Sequence, residues 1–435
     1  MNPVAFNSNK KKNCFIQDVW ATSKYQMQLL APALVSLWKT WEDTDALFHQ
    51  IANWDVQPID LRHSLSFYYG HCTAFANLHL LPEKLHTTVD KMYSRGIDPN
   101  VQNPEVCHDH PPYDPTKLLG KSDLFDYIDS SRRSIEASVR EQLHMHKIRM
   151  VLEHERMHQE TLCYMLAQLR KQSGDDAFCT PRSGSTAFYF NHARYGCFSP
   201  QETAKVDMCK IQIPTTSVHL GVHDKANVQD FRWDNEYGSH LADVKSFVIA
   251  SSPITVKEFL DFIDSKGYND HVLWKEDFSF FQAHDQQMPA TWSRSKDGSY
   301  RIHMPEKTYP FDEVAHCPVY VSLAEARAYA AWKSSRIMTE QEYHAAVLFT
   351  KKHQMDACLN EGGWEWTSTP FRPFQGFTPD PLYPEYSSDF FDGIHFTLKG
   401  SSPYTHPSIR RNSFRNFFQD KYPFAFAKFR LVFDV

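Results

Sequence analysis

The chain has 435 residues, 42% hydrophobic and 23% charged, the make-up of a globular protein too long for one ordinary core. A net charge of −6 gives no basic surface for nucleic acid, and no 18-residue apolar run is present to span a membrane. Nine scattered cysteines without CxxC spacing, and a first stretch lacking the apolar core of a signal peptide, point to reduced thiols and a cytoplasmic protein.

Residues 1–22 read as irregular. From Ser23 a helical stripe begins, with Leu30, Leu34, Leu37 and Trp41 running towards Trp54. A second helix is expected from Asp60, with Phe67, His71, Phe75 and Leu78 on one face. The Pro-, Asn- and Asp-rich stretch from Arg95 to Pro115 reads as a long loop. A third helix follows, capped by Ser122. The fourth contains VLEHERMHQETLCYMLAQLRKQ, where Ile148, Val151, Glu155, His158, Leu162, Met165 and Leu169 recur at steps of three and four. Four long helices predict a bundle over 23–172. A linker is expected at 173–203. The remainder, 204–435, reads as α+β: short apolar runs such as SFVIASSPITV and KFRLVFDV alternate with aromatic loops, and two helices stand out, TVKEFLDFIDSKG and LAEARAYAAWKSS.

The chemistry concentrates in HERMHQE, residues 154–160. His154 and His158 are four apart, so both imidazoles leave one face of the fourth helix, amid an apolar stripe. That is half of a metal site. The same letters spell the HExxH of zinc proteases, but no third ligand follows at the GxxH position, and no Glu occurs between Glu160 and Glu202. Glu160 lies about 200° round the helix from His158 and reads as a surface or outer group. Glu155, on the stripe, is the expected acceptor behind the histidines. His71, on the core face of the second helix, is the better third ligand, with Gly70 beside it allowing close approach of a neighbouring helix. Three neutral imidazoles leave a divalent ion its full charge, which favours a thiolate and leaves positions open for substrate and oxygen.

GHxxxF in the second helix, HExxHxE in the fourth, and WEWTSTPF, YPEYSSDFFDG and FRNFF…FRLV further on resemble the ergothioneine-biosynthesis sulfoxide synthases, from about Leu34 to Val435. PIDLRHSLSFYYGH, RGIDPNVQNPEVCH and LYPEYSSDFFDG resemble the fungal branch most. The resemblance implies a DinB-like four-helix bundle followed by a C-type-lectin-like, formylglycine-generating-enzyme-like α+β domain. It also implies Fe(2+) on His71, His154 and His158, an active-site tyrosine at Tyr383, a second tyrosine at Tyr386 and a substrate-contacting Asn416. The implied reaction joins the thiol of cysteine to the imidazole of hercynine, or of histidine, using O2. Tyr383 would then serve as the proton or hydrogen-bond donor. Fungal members usually carry a histidine methyltransferase, for which this chain has no room; a separate one is expected to supply hercynine.

Three departures from the pattern bear on substrate. Met157 stands where bacterial members often have Gln. Phe418 stands where users of γ-glutamylcysteine carry Asp, and an apolar ring cannot pair with the glutamyl ammonium, which points to free cysteine. In KGSSPYTHP, Ser401 replaces a Gly and Pro403 a Trp, which implies either an altered pocket or a decayed homologue acting as a binding module. Formylglycine generation is excluded, because its cysteine pair near the C-terminus is missing and the last cysteine is Cys358.

Overall fold

Four long helices carry the first half of the computed structural model, which describes residues 30–178, 209–223 and 231–435 apart from 356, 358 and 361. The expected start at Ser23, the linker beyond 178, the junction at 204–208 and Cys358 lie outside the described residues. Helix α1 covers 30–49 and buries Leu34, Leu37 and Trp41, the stripe read from the sequence. Helix α2, Leu65–Leu80, begins later than Asp60, because the chain turns at 59–62 and Arg62 leaves it to reach Ile97 and Asp98. It is buried from Leu65 through Asn77, since α3 (Lys121–Glu141) and α4 (Met145–Ser173) both pack on it. Ser122 does not cap α3: Gly120 holds that position without a side-chain bond, and Ser122 lies inside the first turn.

Gly70 has a different neighbour from the one expected. A Cβ there would lie 2.6 Å from the ring of Tyr93, so the glycine makes room for a tyrosine, not for a helix.

Among the described residues, the second half is built on four small sheets. Strands β1 (Lys210–Ile213), β4 (Phe247–Ala250) and β12 (Val432–Asp434) pair antiparallel in the order β1-β4-β12. β2 (Thr216–Leu220) pairs with β3 (His240–Val244), and β5 (Trp292–Arg294), β6 (Tyr300–His303) and β7 (Thr308–Pro310) form a meander. The sheet that matters for the site has the order β10-β9-β8-β11, from Asn416–Gln419, His395–Ser401, Gly363–Pro370 and Ala427–Lys428. Helices α5 (Val256–Asp264) and α6 (Leu323–Trp332) were both legible; α7 (Glu340–Lys352) was not. All three start with a reciprocal capping box, Thr255–Glu258, Ser322–Glu325 and Thr339–Glu342, so TEQE was the overlooked start signal of α7.

One hydrophobic cluster runs from α1 through α4 into β8, β9 and the chain around Phe429. The helices and the central sheet therefore share a core. No helix among the described residues is long and apolar enough to cross a membrane.

Candidate metal centre

Helical periodicity puts His154 and His158 one turn apart on α4, and the face of α2 opposite them carries His71. Their ligand atoms lie within 4.8 Å of one another, the one such His, Cys, Asp or Glu group among the described residues. Ring centroids are 5.0 Å apart for His71 and His154, 4.7 Å for His71 and His158, and 4.6 Å for His154 and His158. Nε2 of His71 and Nε2 of His158 are 3.2 Å apart.

The details of each ring fit a metal ligand. Nδ1 of His71 is 2.7 Å from the carbonyl oxygen of Tyr93, so Nδ1 carries the proton and Nε2 keeps its lone pair. No motif marks Tyr93, which follows a short capped turn of helix, Thr88–Met92. Phe75, one turn from His71, stacks on His154 at 3.6 Å and 8°, fixing its plane. Burial pulls His71 down to about 4 against the pull of its Tyr93 bond. Burial and the neighbouring imidazoles drive His154 and His158 well below the usual histidine value. All three are neutral at pH 7, the form that offers a lone pair.

The two carboxylates of the motif are not where the sequence put them. Oε1 of Glu155 accepts from Thr44 on α1 at 2.6 Å, and Gln159 donates to the Thr40 carbonyl on the same side. Glu155 is therefore not the acceptor behind the histidines, whose Nδ1 atoms at 154 and 158 are buried without a protein partner. For the same reason it does not stand as the general base of an HExxH hydrolase. Glu160 is not on the surface: it is buried, and accepts from Trp364 Nε1 at 2.7 Å, Ser402 Oγ at 2.6 Å and Thr405 Oγ1 at 2.7 Å. It fastens α4 to β8 and to the 402–405 loop.

The second half brings its tyrosines to the other end of the site. The ring of Tyr383 lies 6.2 Å from that of His154 and 5.1 Å from that of Phe75. Burial pushes its phenol up to about 12, although Arg95 opposes the rise. Tyr386 stacks on Trp233 at 3.8 Å, and its hydroxyl lies 3.5 Å from Sδ of Met157, the neighbour of His158. Trp233 was not singled out by any motif. Asn416 and Phe418, two apart on β10, face one way and line a cleft with Met157, Glu160, Tyr164 and Trp364. Phe418 also stacks on Tyr422 at 5.2 Å and 6°. In the altered loop the left-handed φ, 83°, belongs to Gly400, and Ser401 is free of that strain; its hydroxyl donates to the Asn360 carbonyl.

Residues 198–356 match the family described as Sulfatase-modifying factor enzyme 1-like domain. Over 427 residues the chain is 28% identical to Ergothioneine biosynthesis protein 1 of Schizosaccharomyces pombe, covering 86% of this chain and 52% of that one. It is 30% identical over 331 residues to a hercynine oxygenase of Mycolicibacterium thermoresistibile, covering 66% of this chain and 68% of that one. A hercynine oxygenase of Mycobacterium tuberculosis matches at 31% over 242 residues, 46% of this chain and 56% of that one. The chain spans about half the length of the fungal relative.

Proposed function

The chain belongs to the ergothioneine-biosynthesis sulfoxide synthase family, and on that premise we propose that it joins the thiol of cysteine to the imidazole of hercynine with O2, at Fe(2+) held by His71, His154 and His158. The observation that carries this reading is the convergence of three neutral imidazoles from α2 and α4, with Tyr383 of the second half 6.2 Å away. When bound, ferrous iron would supply redox chemistry with O2 and an affinity for thiolate.

The protein side of the mechanism rests on four tasks. The Tyr93 carbonyl orients His71 through Nδ1. Phe75 and the burial of His71 and His154 exclude water from that part of the ligand side. Asn416 and Phe418 line a cleft with Met157, to which the Tyr386 hydroxyl also reaches, and the imidazole and the thiol would meet there, so proximity does much of the work. Tyr383 keeps its proton at Oη up to about pH 12, so it stays a donor throughout the working range.

The same reading divides the chain into a DinB-like bundle at 23–172, a linker at 173–203 and a formylglycine-generating-enzyme-like domain at 204–435. It also makes the protein cytoplasmic and takes hercynine from a histidine methyltransferase. The test is oxygen uptake by anaerobically iron-loaded protein given cysteine with hercynine or with histidine, followed by mass spectrometry. The expected product is the coupled sulfoxide, with hercynine preferred. Failure to take up iron would instead fit a decayed homologue, and activity with zinc but without O2 a hydrolase.

A further inference from the structure

Five aromatic rings, those of Tyr164, Trp364, Phe414, Phe418 and Phe426, line the cleft beside Met157 together with a single carboxylate, Glu160. No Lys, Arg or His is among the described residues that line it. The rings meet as the sides of a box. Trp364 and Phe414 lie 5.7 Å apart at 32°, and Tyr164 stands 6.4 Å from both Phe418 and Phe426, at 79° and 69°. The walls are fixed from behind: Phe418 stacks on Tyr422, Phe426 lies 4.6 Å from Tyr404, and the Trp364 indole is bonded to Glu160. Such a box suits a cation, whose attraction to a ring face extends to about 6 Å from the centroid.

Glu160 adds charge. It is buried, yet its three bonding partners, an indole and two hydroxyls, are all neutral. Arg410, whose charge reaches it, is exposed and donates to the carbonyls of Thr405 and Pro403 instead. A buried carboxylate without a close counter-ion is costly, and a cation in the cleft relieves that cost.

The kind of cation follows from the acceptors. A carboxylate offers about four lone-pair positions, and three of those on Glu160 are taken. The Thr161 hydroxyl donates to the Met157 carbonyl, and Asn416 Oδ1 accepts from the Phe417 amide. A primary ammonium has three N–H donors to place and would leave most of them unpaired; a quaternary ammonium has none. The site is also within reach of the triad. Helix α4 rises about 1.5 Å per residue, so Thr161 and Tyr164 lie roughly 4.5 and 9 Å along it from His158. About 5–6 Å separates the far ring nitrogen of a histidine from its α-nitrogen, so an imidazole at the triad brings its ammonium to this box.

We propose that Glu160 and the five rings form a binding site for a quaternary ammonium, the α-trimethylammonium of the imidazole acceptor. The choice of ligand rests on the sulfoxide synthase reading, since hercynine is histidine with three N-methyl groups; the site itself rests on the lining. It selects by methylation and not by charge alone.

The test measures binding to the anaerobic iron-loaded protein by calorimetry and follows product formation separately. Histidine and its mono-, di- and trimethylated α-nitrogen forms make one series; tetramethylammonium and tert-butanol, a neutral molecule of similar shape, make the other. Affinity is expected to rise by roughly tenfold or more from histidine to hercynine. Tetramethylammonium should compete with hercynine, and tert-butanol should not. Glu160→Gln can keep the contacts to Trp364, Ser402 and Thr405 but loses the charge, and should cut the preference for hercynine over histidine about fivefold. Phe414→Leu keeps apolar bulk and loses a ring. It should weaken hercynine and tetramethylammonium roughly threefold with histidine unchanged, which covers the case in which the Glu160 variant does not fold. Equal affinity along the methyl series in the wild type, or a preference unchanged in the folded variants, overturns the proposal. If tetramethylammonium binds as expected but no coupled product forms with any acceptor, the ammonium site stands and the sulfoxide synthase reading fails. If product forms from hercynine while the variants leave its affinity unchanged, the reading stands and the site fails.

Discussion

The two faces of helix α4 teach different things. The face towards α2, with His154 and His158, was legible in the spacing, because the period of a helix is a local property and fixes which side chains leave together. The face towards the central sheet, with Met157, Glu160, Thr161 and Tyr164, was not. There helical periodicity sets the direction of Glu160, about 200° from His158. It could not give its destination, since Trp364, Ser402 and Thr405 come from more than 200 residues away in the chain. One face carries the imidazoles; the other docks on the sheet and lines the cleft.

That division can be broken most severely at His71. His71→Ala should lower Fe(2+) affinity by more than roughly 100-fold, beyond the effect usual for residues that only support a ligand. Anaerobic metal titration reads it, and full retention of iron would remove His71 from the ligand set. Tyr383→Phe should keep iron and still consume O2 with cysteine, but shift the product from coupled sulfoxide towards cysteine sulfinic acid. The product ratio at matched oxygen consumption decides, because loss of stability cannot imitate it. An unchanged ratio would make Tyr383 a packing residue.

On the docking face, Glu160→Ala should leave iron stoichiometry intact while costing about 2–4 kcal/mol of stability, because three buried donors lose their acceptor. Thermal melts with and without iron separate the two effects; loss of iron at unchanged melting would reverse the assignment of the faces. A second tie between the halves sets a pH window. His395 lies between Asp98 and Asp392, at 2.9 Å from each, and their hydrogen bonds and charges outweigh its burial, raising it to about 9. A histidine whose folded value is raised adds stability that is complete below about 6.5 and disappears as pH climbs through about 9. At about 1.4 kcal/mol per unit, the gap bounds the loss at roughly 3 kcal/mol. His395→Gln should flatten the stability profile between those limits, and a persistent slope would place its cause elsewhere. The smallest effect is expected at Phe418. Cysteine should outcompete γ-glutamylcysteine in the wild type, and Phe418→Asp should narrow the difference by roughly tenfold. A wild-type preference for γ-glutamylcysteine would show that Phe418 does not meet the thiol donor.

What was legible followed the range of the signal. The α1 stripe, the two imidazoles on α4, and α5 and α6 all lie in local periodicity or capping. His71 needed the further idea that α2 faces α4, and the resemblance supplied Tyr383, Tyr386, Asn416 and Phe418. Tyr93 and Trp233 carried no pattern, because a backbone carbonyl that orients His71 and a ring that stacks on Tyr386 are chosen by tertiary approach. Phe75 was read as part of an apolar stripe, and only the fold shows that it faces an imidazole. Glu155 failed for a related reason: α1, which takes up its carboxylate through Thr44, is invisible from the motif.

The central claim is that α2 and α4 close a three-histidine centre, and X-ray absorption on the anaerobic iron-loaded protein tests it most directly. The account predicts multiple-scattering features of three imidazoles in the wild type and of two in His71→Ala. A wild-type spectrum with fewer than three imidazoles, or one unaltered by the substitution, would contradict it.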